Sequence, residues 1–160
     1  MPTCYILIGP QGCGKSTWRE ANLVALNDPV QISTDDMFDE VAAQDGITYA
    51  EAWINYSYDD MVKRANALIM RAVIAQRDII IDQTNCTVVS RQLFRRLIPA
   101  DYRIVGVQFA FDYKQIISRV VARGKRTGKV IPVGAVVEKM KSFEPCAEGE
   151  FDEVILVPLA

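Results

Sequence analysis

The sequence predicts an α/β domain built on a mostly parallel, five-stranded sheet flanked by helices. Five short apolar runs rich in β-branched residues recur along it, unbroken rather than alternating, as strands covered on both faces require. Stretches of helical periodicity separate them, so strands and helices alternate, which is the pattern of a parallel sheet with crossover connections. Length agrees: 160 residues, 50% of them hydrophobic, can bury the core of one domain.

The first run, Cys4–Ile8, precedes a glycine-rich turn and a helix over Ser16–Leu26. The second, Val30–Ile32, leads into an acidic stretch. There Thr48-Tyr49-Ala50-Glu51 has the form of a capping box, in which hydroxyl and carboxylate each satisfy a free backbone N–H. Met61, Ala65, Leu68, Ile69, Ala72 and Val73 then keep one apolar stripe, so a helix follows. Ile79–Ile81 is the third strand and Thr87–Ile98 the next helix. Ile104–Phe111 is the fourth strand, and a helix over Tyr113–Arg123 comes after it. Pro132 suits the first position of a helix running to Phe143, since its missing N–H is not needed there. Val154–Val157 completes the sheet. Without a repeat, a low-complexity tract or a linker, residues 1–160 form a single domain.

Several function classes drop out at once. No apolar run approaches the ~18–20 residues of a membrane span, and the N-terminus lacks the basic and small-residue signals of a secretory leader. A soluble, cytoplasmic protein with no membrane partner is the expectation. There is no histidine, and the four cysteines (Cys4, Cys13, Cys86, Cys146) stand far apart. That excludes zinc fingers, zinc hydrolases and every Ser-His or Cys-His nucleophile scheme. A general base must be a carboxylate, a lysine or a tyrosine.

The formal charge of −2 hides an asymmetry. Asp35 to Asp60 holds eight acidic residues and no Lys or Arg, whereas Lys114 to Lys141 holds eight basic residues against Glu138 alone. Most such charges are solvated helix faces. The cluster Arg123, Lys125, Arg126, Lys129 differs, because it lies among Gly124, Thr127 and Gly128. It predicts a mobile cationic lid at about 123–131, suited to a polyanionic ligand.

Gly9-Pro10-Gln11-Gly12-Cys13-Gly14-Lys15-Ser16, followed by Thr17, matches G-x-x-x-x-G-K-[ST] between a buried strand and a helix. This is the phosphate-binding loop of the P-loop NTPase fold. Gly12 and Gly14 let backbone N–H groups turn inward around phosphate oxygens, with Cys13 the small residue between them, and the helix N-terminus adds its dipole. Lys15 then reaches the β- and γ-phosphates of ATP or another NTP, and the Ser16 hydroxyl is a ligand for Mg²⁺. The second strand runs into Asp35-Asp36, and the third ends in Asp82-Gln83-Thr84-Asn85. Both polar groups therefore reach the sheet edge at which ligands gather. Asp36 reads as a helix-start residue, Trp18 as helix packing, and Asp82 first as an aspartate holding the Mg²⁺ shell through water, with a plain hydrogen bond to the phosphate-binding loop as the alternative. Tyr49, Trp53, Tyr56 and Tyr58 are either core residues, which their spacing favours, or stacking surfaces for bases.

The series GPQGCGKSTW, STDD, IIIDQTN with Arg91 downstream, and RGKRTGKVIP resembles the kinase domain of phage-type polynucleotide 5′-hydroxyl kinases and related small P-loop kinases. The likeness spans essentially the whole chain. It implies that Asp35 is the general base for the acceptor hydroxyl, and that Arg126 with Arg123 are lid arginines on the donor phosphates. It also carries over Lys15, Ser16 and Thr84, with Thr84 and Arg91 on the acceptor side, and a cytoplasmic setting, that of a host if the chain is phage-encoded. Phe38 stands where that family has an arginine for the acceptor's 3′-phosphate, so a base stacked on Phe38 is the expected substitute. The leading expectation is an ATP-dependent kinase acting on the 5′-hydroxyl of DNA or RNA. Kinases acting on a hydroxymethylated base such as 5-hydroxymethyluracil in DNA, or on a nucleoside or other small molecule, are alternatives. A non-catalytic nucleotide-binding module is a fourth.

Overall fold

The computed structural model describes all 160 residues and contains five strands and seven helices. In chain order they are β1 (Thr3–Ile8), α1 (Lys15–Asn22), β2 (Val30–Ile32), α2 (Thr34–Asp45), α3 (Tyr49–Asn55) and α4 (Tyr58–Ile74). Then come β3 (Ile79–Asp82), α5 (Val88–Arg95), β4 (Arg103–Phe109), α6 (Tyr113–Thr127), α7 (Val133–Lys141) and β5 (Glu153–Val157). The strands form one sheet in the order β2-β3-β1-β4-β5, with every neighbouring pair parallel. This is the α/β architecture the alternating runs predict.

Each face of the sheet has its own apolar layer. Cys4, Ile6, Ile8, Ile79 and Ile81 face Phe38, Ala52, Met61, Ala65 and Ile69 of α2, α3 and α4. Leu7, Ile80, Val105 and Val107 face Ile116 and Val120 of α6 and Val136 and Met140 of α7. Alternate residues of β1 and β3 thus serve opposite layers, which is why their sequences read as unbroken apolar runs. The fifth run departs from that expectation. β5 is an edge strand, and its Leu156 is exposed. Gly106 of β4 admits the Phe151 ring, which would lie 2.6 Å from a Cβ placed there.

One local feature fills out the sequence reading and another departs from it. The acidic stretch contains a full helix, α2, opened by Ser33, whose side chain accepts from the Asp36 N–H. In addition, α6 does not stop at Arg123 but runs to Thr127, closed by Gly128 at φ 75°. Arg123, Lys125 and Arg126 therefore sit on the last turns of a helix rather than in a loop. Cations are stabilised at a helix C-terminus, and Gly124 is buried against the chain returning through Lys129 and Val130.

Arg91 is fully buried, and this overturns its expected place on the acceptor side. Its Nε donates to Glu150 Oε1 at 2.5 Å and its Nη1 to the carbonyls of Asn85 and Glu144 at 3.0 Å. It pins the segment after α7 to the end of β3. Its neighbours are also engaged internally: Arg95 bonds the Glu150 carbonyl and Arg103 pairs with Glu153.

Burial alone would push the Glu150 carboxyl up, but the bonds from Arg91 and the Ala147 N–H, with the charges of Arg91 and Arg95, hold it below its ordinary 4.5. A folded value below the unfolded one stabilises the fold above the unfolded value, and this share is lost as pH falls through the folded one. The urea midpoint of the wild type should therefore fall more steeply below about pH 4.5 than that of Glu150→Gln. At pH 7, Glu150→Ala should cost ~3–5 kcal/mol, because Arg91 is left as an unpaired buried charge. Parallel pH profiles for wild type and Glu150→Gln would show that this pair adds nothing.

Candidate functional site

The phosphate-binding loop joins β1 to α1, and its shape depends on two glycines. Gly12 and Gly14 adopt φ 82° and 102°, a region that side-chain-bearing residues avoid. Lys15 is buried at the start of α1, and its Nζ donates to the carbonyls of Gly9 and Pro10, both at 2.8 Å. Cys13 is buried beneath it, Sγ 3.9 Å from that ammonium. Trp18 packs edge-on against Phe109 of β4, as expected of a packing residue.

The end of β3 is tied to this loop from below. Gly9 N–H donates to the Thr84 carbonyl at 2.9 Å, and the Asn85 amide donates to the Leu7 carbonyl at 2.8 Å. Thr84 therefore supports the loop through its backbone. Asp82, buried at the tip of β3, lies 3.4 Å from the Ser16 hydroxyl and 3.0 Å from Arg19 Nη1. Arg19 also reaches Asp36 at 2.8 Å, so it links two carboxylates across the cleft floor. Burial raises the Asp82 carboxyl above its ordinary value, against the pull of Lys15 and Arg19.

Asp35 stands at the first turn of α2, at the C-terminal end of β2. Both of its oxygens are engaged: Tyr49 Oη donates to Oδ1, and Lys129 Nζ donates to Oδ2 at 2.7 Å. The same ammonium reaches Asp39 Oδ2 at 2.8 Å and lies 4.3 Å above the Tyr49 ring. Lys129 thus ties the chain just after α6 to α2 and α3. A cleft of about 520 Å³ opens between these parts, lined among others by Ser16, Arg19, Asp35, Tyr49, Arg123 and Lys129.

Of the residues singled out from sequence, Ser16, Asp35 and Arg123 meet at this cleft, with Lys15 and Asp82 buried beside it. Gly12, Cys13, Gly14 and Thr17 belong to the loop and the first turn of α1. Arg126 is exposed and does not line the cleft. Phe38 overturns its expected role: it is fully buried, stacked on Trp53 at 4.1 Å, and has no free face for a base. Its position in α2 falls on the core side, where an aromatic is favoured and an arginine would be buried. Arg19 and Asp39 were missed, and Tyr49 and Lys129, expected as a core or stacking aromatic and as a lid cation, were not expected on Asp35. Tyr49 follows the capping Thr48 directly and Arg19 lies one turn after Lys15, so both had a sequence signal; Asp39 was hidden among eight acidic residues.

Comparison with known proteins agrees with this fold. Residues 5–146 match the AAA_33 family model, described as an AAA domain. No curated protein sequence matches the chain. Among solved structures, a putative kinase from Chloroflexus aurantiacus J-10-fl superposes with TM-score 0.72 at 16% identity, covering 98% of this chain and 85% of that one. A chain of the Pnkp1/Rnl/Hen1 RNA repair complex gives TM-score 0.71 at 24% identity, over 88% of this chain and 43% of its own length. A gluconokinase from Sinorhizobium meliloti 1021 gives 0.60 at 18% identity, over 99% of this chain and 83% of that one. At these identities the likeness is one of fold. No helix is long and apolar enough to cross a membrane.

The raised Asp82 carboxyl has a consequence for stability. A folded value above the unfolded one means that ionisation opposes folding as pH rises past the ordinary 3.8. Asp82→Asn should therefore match or exceed the wild type in thermal midpoint at pH 7, while Arg19 keeps Asp36 as its partner. A clear drop in the midpoint would mean that the pair with Arg19 outweighs the burial of the charge.

Proposed function

Because the chain belongs to the AAA_33 family of AAA domains, we propose that it is a phosphotransferase moving the γ-phosphate of ATP, or of another NTP, onto an alcohol. The observation that carries this reading is the meeting of Asp35, Ser16, Arg123 and Lys129 on one cleft beside the phosphate-binding loop. The residues present suit a magnesium nucleotide. Gly12 and Gly14 have the positive φ that turns N–H groups inward, and Arg123 Nε is buried in the cleft wall with no protein partner. Ser16 and Asp82, 3.4 Å apart, are the available holders of the cation. When bound, Mg²⁺ offsets charge on the phosphates.

In this reading Lys15 and the loop amides hold the β- and γ-phosphates, and Arg123 and Lys129 add positive charge from the lid side. Asp35 accepts the acceptor's proton as its oxygen forms the new bond to phosphorus. The bond to the β-phosphate oxygen breaks, and ADP leaves with that electron pair. Lid cations act on charge that grows in the transition state, where they count most.

For the acceptor we propose a nucleic-acid hydroxyl, with the 5′-terminal hydroxyl of DNA or RNA first. Its support is the sequence resemblance to polynucleotide 5′-kinases, the fold shared with a chain of an RNA repair complex, and the exposed Lys125 and Arg126 at the lid. One observation favours a second reading, phosphorylation of a hydroxymethylated base. The α2–α3 wall of the cleft offers Asp35, Asp36 and Asp39 with no Lys or Arg of its own, Phe38 is in the core, and the Lys129 ammonium that reaches the wall is already shared between Asp35 and Asp39. A base turned out of the helix would bring a neutral group to that wall.

Labelled γ-phosphate should enter 5′-hydroxyl oligonucleotides and leave circular DNA carrying hydroxymethyl bases unlabelled; label in the circle would replace the first acceptor by the second. Transfer only to a free nucleoside or sugar would remove nucleic acid from the reading. Lys15→Ala should abolish transfer with the fold intact, and Asp35→Asn should lower turnover by about 10²–10⁴-fold at nearly unchanged ATP affinity. Arg123→Ala should reduce turnover more than Arg126→Ala, and the reverse order would return the lid role to Arg126.

A further inference from the structure

We propose that Tyr49 is a positioning residue for Asp35, fixing its Oδ1 so that Oδ2 is the oxygen presented to the acceptor hydroxyl. This rests on the reading of Asp35 as the base. The two oxygens differ in what holds them. Oδ1 is bound by the Tyr49 hydroxyl, carried on a helix packed into the core, and Oδ2 by Lys129, just beyond the end of α6. An incoming hydroxyl can replace the ammonium by a shift of the short 128–132 connection. Replacing the phenol would require its ring to leave its packing against Phe38 and Trp53.

Everything around Tyr49 fixes where its hydroxyl lies. Thr48 and Glu51 close a reciprocal capping box, with Thr48 N–H to Glu51 Oε2 at 2.7 Å and Glu51 N–H to Thr48 Oγ1 at 3.2 Å. That box makes Tyr49 the first residue of α3. Its ring meets Phe38 edge-on at 6.4 Å and Trp53 at 6.2 Å, and Ala52 on the next turn is fully buried. Burial and the neighbouring Asp35 carboxylate both push the phenol well above its ordinary value, so it stays protonated and remains a donor. A hydrogen bond to an ionised group is worth more than a neutral one, and it selects one rotamer of the short Asp side chain.

The test is a double-mutant cycle of Tyr49→Phe and Asp35→Asn. It is assayed as phosphate transfer to a 5′-hydroxyl oligodeoxynucleotide and, without acceptor, as ATP hydrolysis to water. Tyr49→Phe should lower kcat about 10- to 100-fold, the size of one hydrogen bond to a charged group, and leave KM for ATP unchanged. In the Asp35→Asn background the same change should cost less than about twofold, because a residue acting through Asp35 has nothing left to act on. Losses that multiply, or a KM for ATP that rises in step with the fall in kcat, would make Tyr49 a merely structural residue and overturn the inference. If Asp35→Asn alone leaves turnover intact, the base assignment falls and takes this inference with it; multiplying losses overturn the inference alone.

Discussion

Parallel strands send all their C-terminal ends to one edge, and β1 is held at the centre of this sheet by pairing with β3 and β4 on either side. The register Leu7↔Asp82 sets the tip of β3 level with the end of β1, where the phosphate-binding loop begins. Ile32↔Ile81 in turn brings the end of β2, and so Asp35, to the same edge. A slip of one residue would exchange the faces of the whole strand and carry Asp82 away from Ser16. The cleft is therefore a consequence of strand pairing before it is a matter of side-chain chemistry. The Gly9–Thr84 and Asn85–Leu7 bonds then fasten the two loops that leave that edge.

Charge is distributed across this frame in a way that fits transfer to a hydroxyl. The α1 and lid sides supply Arg19, Arg123 and Lys129, and the α2 side supplies Asp35, Asp36 and Asp39. On the proposed reading, cations are thus gathered where a triphosphate would bring four negative charges, and a carboxylate stands where a proton would be taken. Lys129 spans the two sides. Its ammonium bridges Asp35 and Asp39 while its backbone follows the helix that carries Arg123. A residue so placed couples the lid to Asp35, since any approach to Asp35 Oδ2 must first disturb it.

Most of this was legible in the sequence, for reasons that differ from part to part. Strand runs, the Gly-x-Gly-Lys-Ser turn and the Thr48 capping box are local signals, and each appears in the structure where its chemistry demands. Phe38 and Arg91 failed for a shared reason: sequence position gave their distance from Asp35 or Asp82 along the chain but not the side of the helix they occupy. Phe38 falls on the core face of α2, and Arg91 turns inward because Glu150, 59 residues later, returns to meet it. The meeting of Tyr49 and Lys129 with Asp35 was not legible because that partner lies 14 and 94 residues away, and no local pattern encodes such a contact. The lid was misjudged more narrowly, since a glycine at position 124 looked like a break but is tolerated inside α6.

Two buried charges in this fold make opposite bargains with solvent. Arg91 and Glu150 are paired completely, with the remaining guanidinium donors satisfied by backbone carbonyls, and their neighbours hold the Glu150 carboxyl low. Such a pair fixes a single arrangement of the segment after α7 and has no chemical task to perform. Asp82 is the more deeply buried carboxylate, and burial raises its carboxyl in spite of Lys15 and Arg19. On the proposed reading, a cation held between Asp82 and the Ser16 hydroxyl would offset that cost. A carboxylate buried in this way weakens a fold unless something binds there, so burial is what separates Asp82 from the structural pair.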